Sequence, residues 1–420
     1  MNYFTSNTNE MKRKIVNFTK KMSNGLKKPE KKFIADILYG LSASKDIKIS
    51  NIARNLHESI KLDNTIERLC KHLESFDKRN IVNNNYFNFV NSMLPESPIT
   101  IFDDSDITKI YGKKFEDLDL VRDASEPNTS YKPGYHMCNA IALTKNENQP
   151  VPIYSKVYST KSRNFESANN ETYQSIDAVR NCLKRKSLMV FDRGFDDFKL
   201  FNYVLSGGDD ILVRLKKNRS FYFKDKKKNL NEVYENRKGK IKMHLVFQGE
   251  EKDVYISYTR ATLPKDNREY TLIFVYGLGK TEKFMLLTNK KIKDKKDAIR
   301  LVRIYLDRWR IETYHRSIKT EYNYEDIRVR SLKSINNLTY FLNLLISLII
   351  NIIEELNNNL LTHKILYEAK ALRNKVGVWI TQIALGIHVM LRRAIKGIKA
   401  FYKVHRQEQI STYQLSFELQ

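Results

Sequence analysis

Four residues of different chemistry recur along one short stretch, YLDRWRIETYHRSIK, from Tyr305 to Lys319. On a helix turning by about 100° per residue, Tyr305, Arg308, Glu312 and Lys319 fall within roughly 60° of arc, while Asp307 points away. A phenol, a guanidinium, a carboxylate and an ammonium therefore share one face. Such a face is costly to bury, and Ile304, Ile311, Ile318 and Trp309 beside it read as packing residues, so it is expected to border a cleft. One carboxylate among cations suits a metal ion next to phosphates. Mixed charges at helical spacing also describe a solvated helix with ion pairs, so the reading depends on what else reaches the same place.

Further carboxylates stand where apolar runs end: Asp103 and Asp104 in ITIFDDSDITKIYG, and Asp192 in SLMVFDRGF. In a chain that alternates strands with helices, strand ends collect at one sheet edge, where open α/β sheets form ligand crevices. Three carboxylates from separate elements can hold two divalent ions about 4 Å apart, one activating a hydroxyl nucleophile and one stabilising the leaving oxygen of a phosphodiester. Oxygen donors favour Mg2+, with Mn2+ as a substitute. Any one of these aspartates alone would be an ordinary turn or cap residue. Asp103 and Asp104 alternate across a strand, so only one can point into the crevice; Asp106 shares the face of Asp104 and is a candidate for support.

The elements that must position these groups can be read in order. The basic stretch up to about Lys28 reads as an arm or frayed amphipathic helix, and Lys31 to Leu94 as helical, with Asp63 or Asn64 a helix cap. Within it, ISNIARNLHES and DNTIERL have a helix-turn-helix layout. After Pro95 and Pro98, strands are expected at ITIFDDSD, YHMCNAIALT and QPVPIYSKVYS as an antiparallel meander, then a helix over 167–184, a buried strand ending at Asp192, a helix in FDDFKLFNYVLSG and a strand in DILVRLK. From about 216 to 283 the runs are β-type, an insertion, followed by strand KFMLLTN. A long helix from near Asp294 then carries Tyr305 through Lys319, an apolar helix over about 335–356 covers the sheet, and basic helices over about 366–404 close the chain. The resulting boundaries are a helical DNA-binding domain over 1–95, a catalytic core over 96–360 and a helical region over 361–420.

At 420 residues with 41% hydrophobic side chains, the chain can bury a large core, and 8 Pro and 14 Gly argue against a linker-dominated protein. Lys and Arg number 74 against 48 Asp and Glu, a formal charge of +26, which attracts polyanions in a salt-dependent way. Cys70, Cys138 and Cys182 lack disulfide-framework or zinc-ligand spacing. Without an apolar leader after the N-terminus, and with Asn343, Ser347 and Asn351 interrupting the most apolar run, no membrane role is expected; the protein reads as cytoplasmic and nucleoid-associated. Gly277-Leu278-Gly279-Lys280 lacks the length and following helix of a phosphate loop, so no nucleotide cofactor is expected.

Strand-Asp104, strand-Asp192-Arg193-Gly194 and helix-Glu312 resemble the three carboxylates of the DDE transposases. Tyr305-x-x-Arg308-x-x-x-Glu312 with Lys319 seven residues on resembles the YREK signature of bacterial cut-and-paste insertion-sequence transposases at every position, the resemblance running from about Ile99 to about Glu354. It implies an α/β ribonuclease-H-like mixed sheet split by the β-rich insertion and flanked by helical regions. It implies metal-dependent cleavage of double-stranded DNA at transposon ends through a hairpin, and joining to target DNA by a homodimer. Asp104, Asp192 and Glu312 would be the Mg2+ ligands, Asp104 being preferred over Asp103 because Ser105 follows it as a small hydroxyl residue does in the family. Tyr305, Arg308 and Lys319 would hold phosphates, their types suiting that work. Arg193 is expected at DNA or in a salt bridge, Trp309 at DNA or in the core. An aromatic platform for a flipped base is sought among Tyr255, Tyr258, Tyr270, Phe274 and Tyr276, and His315 is expected to touch phosphate, to pack, or to move a proton. The helix around Trp379 and Leu385 is the expected dimer contact. A transposase-derived DNA-binding protein without turnover and a stand-alone nuclease on the same fold are the alternatives.

Overall fold

The computed structural model describes residues 3–122, 130–146, 148–247, 249–264, 266, 268–279, 283–356, 359–370 and 379–398. The chain opens with α1 (Tyr3–Met22), α2 (Lys28–Ser44), α3 (Ile49–Asn55), α4 (Leu62–Ser75) and α5 (Arg79–Met93). Of the two expectations for the basic N-terminal stretch, the amphipathic helix is the one found, packed as α1, because Met11, Ile15, Phe18 and Met22 recur at helical spacing and are all buried. Its Lys12 is also buried and donates to the Lys396 carbonyl at 2.5 Å, so desolvation lowers the ammonium to about 8. Helix α4 begins at Leu62, which puts Asp63 and Asn64 inside its first turn rather than at the cap. Arg68 ties the helices together, donating to Asp36 Oδ2 at 2.9 Å on α2 and to Glu58 Oε2 at 2.8 Å.

The core follows: β1 (Ile99–Thr108), β2 (Asp119–Arg122), β3 (Tyr131–Leu143), β4 (Pro150–Tyr158), α6 (Ala168–Leu183), β5 (Leu188–Phe191), α7 (Phe198–Ser206) and β6 (Asp210–Arg214). Strands lie in the order β4–β3–β1–β5–β6; β1, β5 and β6 are parallel, and β3 is antiparallel to both β1 and β4. This is the ribonuclease-H-like mixed sheet, with the expected meander of β1, β3 and β4 at one side. Strand β5 is buried at all four positions, as a central parallel strand must be when both sheet faces are covered. The short β2, which the sequence pattern did not suggest, pairs with the start of β3. Helix α7 begins later than expected because Arg193–Phe195 forms a 3-10 turn and Asp197 caps α7 through Lys199 N.

The insertion comprises β7 (Ser220–Phe223), β8 (Lys226–Asn229), α8 (Leu230–Glu235), β9 (Ile241–Phe247), β10 (Glu250–Thr262) and β11 (Glu269–Tyr276). Strand β12 (Phe284–Thr288) then pairs with both β11 and β6, so the insertion continues the core sheet.

The long helix expected through Lys319 is broken. Helix α9 (Lys295–Leu306) gives way at Asp307–Arg308 to α10 (Trp309–Arg316), and a π-helical turn, Ser317–Glu321, follows. At the break the amides of Arg308, Arg310 and Ile311 bond to carbonyls three residues back, so the backbone tightens locally. Helix α11 (Leu332–Glu354) packs on β4 and against α2, α4 and α5; α12 (Leu360–Glu368) and α13 (Trp379–Arg392) return to the N-terminal helices. By length and composition α11 could cross a membrane, yet 83% of its most apolar window is buried inside the molecule. The basic helical segment expected to reach Val404 lies partly outside the described residues.

Phe102 and Phe191 are register partners on β1 and β5, fully buried, with stacked rings 4.7 Å apart. They immediately precede Asp103 and Asp192, so this pair sets the spacing of the two strands that carry carboxylates. Phe102→Ala is expected to destabilise the protein by about 3–5 kcal/mol, read as a lowered urea midpoint with little change in m.

Candidate active site

Asp103 and Asp104 belong to β1, which pairs with β3 on one side and β5 on the other. They lie in the middle of β1 rather than at its end, just past the last β1–β5 pair, and both border a cavity of about 330 Å³ together with Asp192, Asn169, Tyr173 and Phe195. Their side chains nevertheless meet different surroundings. Asp103 interacts with Arg308, Asp192 and Glu312, whereas Asp104 interacts with Cys138, Asp106, His136 and Glu171 on the other side of the strand. The structure thus brings Asp103, rather than the expected Asp104, beside Arg308, Asp192 and Glu312. The strand pleat is the cause, since neighbouring side chains point to opposite faces.

Asp192 follows the last residue of β5, and its Oδ1 accepts the Tyr305 hydroxyl at 3.0 Å. Glu312 lies in the first turn of α10 and accepts Arg308 Nη2 at 3.0 Å, while Arg308 Nε stands 3.9 Å from Asp192 Oδ1. Tyr305 and Arg308 are three residues apart across the tightened break, where such side chains eclipse, so both reach Asp192. Glu312 is four residues beyond Arg308, the ordinary helical spacing for an ion pair. One guanidinium, only 12% exposed, thus stands among three carboxylates. Among the described residues no three His, Cys, Asp or Glu side chains are closed up into a metal-ready cluster.

Burial pushes the Asp103 carboxyl up to about 7; Arg308 opposes this, and Asp104, Asp192 and Glu312 add to it. Burial likewise raises Asp104, to about 6. At Asp192 burial acts upward too, but Arg308, the Arg193 amide and the Tyr305 hydroxyl together hold the carboxylate below its usual range. Burial raises the Tyr305 phenol, which therefore acts as a neutral donor.

The other expected residues scatter. Lys319 is displaced by the π turn: its Nζ donates to the Asp106 carbonyl at 2.7 Å and lies 3.6 Å from Glu325. Asp106 is three residues beyond Asp103, so Lys319 meets β1 further along the strand than the carboxylates do. Arg193 is exposed in the turn after Asp192. Trp309 is 42% exposed, with its ring edge-on to Phe247 of the insertion at 6.4 Å and Arg308 over its face. Of the aromatic candidates, Tyr270 and Phe274 are buried and Tyr276 packs on Tyr234, while Tyr255 is exposed. His315 is buried, 3.9 Å from Asp103 Oδ2, and desolvation lowers its imidazole to about 3, reinforced by Lys319 and Arg308. Its partner Asn139, 0% exposed in β3, was not anticipated; one amide inside the apolar run MCNAIAL is the only signal the sequence carries.

The frame of the site is thus a ribonuclease-H-like mixed sheet with acidic side chains beside the junction of its parallel strands β1 and β5. Residues 95–348 match the family model of the transposase DDE domain, and the chain belongs to that family. Its members generally act with divalent metals. No curated protein matches the chain. Among solved structures, a cryo-EM piggyBac transposase synaptic complex with hairpin DNA is 11% identical, with TM-score 0.43, over 94% of this chain and 81% of that one. The NurA nuclease from Sulfolobus solfataricus is 10% identical, with TM-score 0.25, over 58% of this chain and 82% of that one.

Because the folded state holds the Asp103 proton more tightly than the unfolded chain, this group contributes stability that is fully present below about pH 4 and is lost progressively as pH rises to about 7. Asp103→Asn is thus expected to stabilise the protein in chelator at pH 8, by at most about 4 kcal/mol, with the gain vanishing near pH 4. Paired thermal melts of wild type and variant across that range isolate this group from the other titrating residues.

Proposed function

We propose that this chain is a DNA transposase that cleaves double-stranded DNA at the ends of a mobile element and joins them to a target. The observation that carries the reading is the gathering of Asp103, Asp192 and Glu312 around Arg308 and Tyr305 in a DDE-family core. The donor set fits a divalent metal. Three hard oxygen ligands come from separate elements; burial, with the neighbouring carboxylates adding to it, keeps Asp103 from ionising readily, a burden that a cation would relieve. Asp103, Asp192 and Glu312 would hold two Mg2+ ions, with Mn2+ as substitute. Bound there, the metals would activate a hydroxyl nucleophile and stabilise the leaving oxygen.

The protein's own groups then have defined work. Tyr305 holds the Asp192 carboxylate by its hydroxyl. Arg308 neutralises the carboxylates and offers phosphate a planar fork, Lys319 supplies a point charge further along β1, and Arg193 and Trp309 present exposed contacts to the DNA end. Hydrolysis at the element's end frees a 3′-hydroxyl, which attacks the opposite strand to give a hairpin; a second hydrolysis reopens it before joining. The helices over 1–95 would bind DNA, with α3 and α4 as the helix-turn-helix, in a complex of two copies. Helix α13 would supply part of that contact through the 37%-exposed Leu385. A cytoplasmic, nucleoid-associated bacterial enzyme of an insertion sequence is the corresponding setting.

Incubation with a labelled cognate end and Mg2+ or Mn2+ tests this. Wild type is expected to give metal-dependent nicked and hairpin products, and Glu312→Gln to lose them by at least about 10²-fold while binding persists. Binding without cleavage by wild type would leave a DNA-binding protein, and cleavage without hairpin or joining a nuclease. In the same assay Asp103→Asn is expected to fall as far as Glu312→Gln, and Asp104→Asn to retain turnover; the reverse ranking would return the first ligand to Asp104.

A further inference from the structure

Strands β1, β3 and β4 lie side by side, with Asp103 opposite Asn139 and Asn139 opposite Ser155. Register partners share a sheet face, so three polar side chains stand in a row beneath α10. Such a row is expensive in a core unless each group is paired. Ser155 Oγ donates to Asn139 Oδ1 at 2.7 Å, which fixes the amide and leaves its Nδ2 3.1 Å from His315 Nε2. An amide nitrogen only donates, so Nε2 accepts and the ring proton resides on Nδ1. Nδ1 is the atom 3.9 Å from Asp103 Oδ2. The next residue, Tyr314, reaches Ser155 Oγ at 3.0 Å and donates to Asn343 Oδ1 of α11 at 2.7 Å, anchoring the row in the helix behind it.

We propose that His315 is a positioning residue for the Asp103 carboxylate, held by Asn139 and Ser155 so that its Nδ1–H faces Asp103. This rests on the assignment of Asp103 as a metal ligand. A separation of 3.9 Å is longer than a hydrogen bond. Contacts of this kind are often long before ligands bind and tighten afterwards. Carboxylates that ligate metals are themselves held by such outer partners, whose loss costs about 10- to 100-fold in metal affinity or activity. His315 touches neither DNA nor metal on this account; it limits where the Asp103 oxygens can go.

Mn2+ binding to the full-length protein without DNA, followed by electron paramagnetic resonance, separates positioning from packing. His315→Phe keeps the ring and removes the donor, and is expected to weaken Mn2+ binding by about 10- to 100-fold. His315→Asn places an amide nitrogen near the position of Nδ1 and should restore most of that loss, although it fills the core less well. A merely structural histidine predicts the opposite order, with Phe the better replacement. If His315→Phe does not fold, Asn139→Leu serves, since it releases Nε2 and with it the tautomer; it too should weaken Mn2+ binding. Wild-type affinity in whichever of the two folds overturns the proposal. Asp103→Asn is the reference: if it leaves Mn2+ affinity unchanged, the ligand assignment falls, whereas a loss there with none at His315 removes only this inference.

Discussion

Like charges brought together at the edge of a sheet repel strongly, and the Arg308 guanidinium is what allows Asp103, Asp192 and Glu312 to share one place. Two unit charges 4 Å apart interact by about 4 kcal/mol at an effective dielectric of 20, enough to matter against a marginal folding free energy. Arg308 is largely buried and reaches Glu312 and Asp192 from a single side chain. It is one cation facing three carboxylates, and burial still keeps Asp103 from ionising in its ordinary range. On the proposed function a divalent cation would relieve that imbalance, and the cavity beside Asp103 and Asp192 gives one a way in.

The backbone around Arg308 is adapted to this task. A continuous helix would spread Tyr305, Arg308, Glu312 and Lys319 along one stripe. Tightening at Asp307–Arg308 stacks Tyr305 and Arg308 over Asp192, and the π turn at Ser317–Glu321 carries Lys319 away towards Asp106. The stripe is thereby divided between holding carboxylates and reaching outward along β1. Departures from regular helix geometry of this kind are common where a helix carries function.

Behind the carboxylates, the apolar helix α11 serves as more than a cover. Asn343 accepts from Tyr314, Ser347 bonds to Tyr86, and Asn337 accepts Arg79 while its own amide donates to the Leu73 and Phe76 carbonyls. These polar residues, which interrupt an otherwise membrane-like run, link α10, the N-terminal helices and α11 itself. Satisfied polar groups in a core fix one arrangement of neighbours where apolar packing alone would tolerate several.

The sequence by itself determined which chemistry was present and in which order. The apolar runs ending in aspartate, the Tyr–Arg–Glu spacing and the change to β-type runs near residue 216 all depend on local periodicity, and the mixed sheet and its insertion follow from them. What only the tertiary structure decided was which neighbours meet. Asp103 and Asp104 are equivalent in a one-dimensional pattern, and the pairing of β1 between β3 and β5 chose which face met α10. The break at Asp307 and the π turn carry no proline or glycine signal. Asn139 is one polar residue in an apolar strand until β1 and β4 bring Asp103 and Ser155 beside it. Periodicity records what a segment buries; long-range pairing decides what it is buried against.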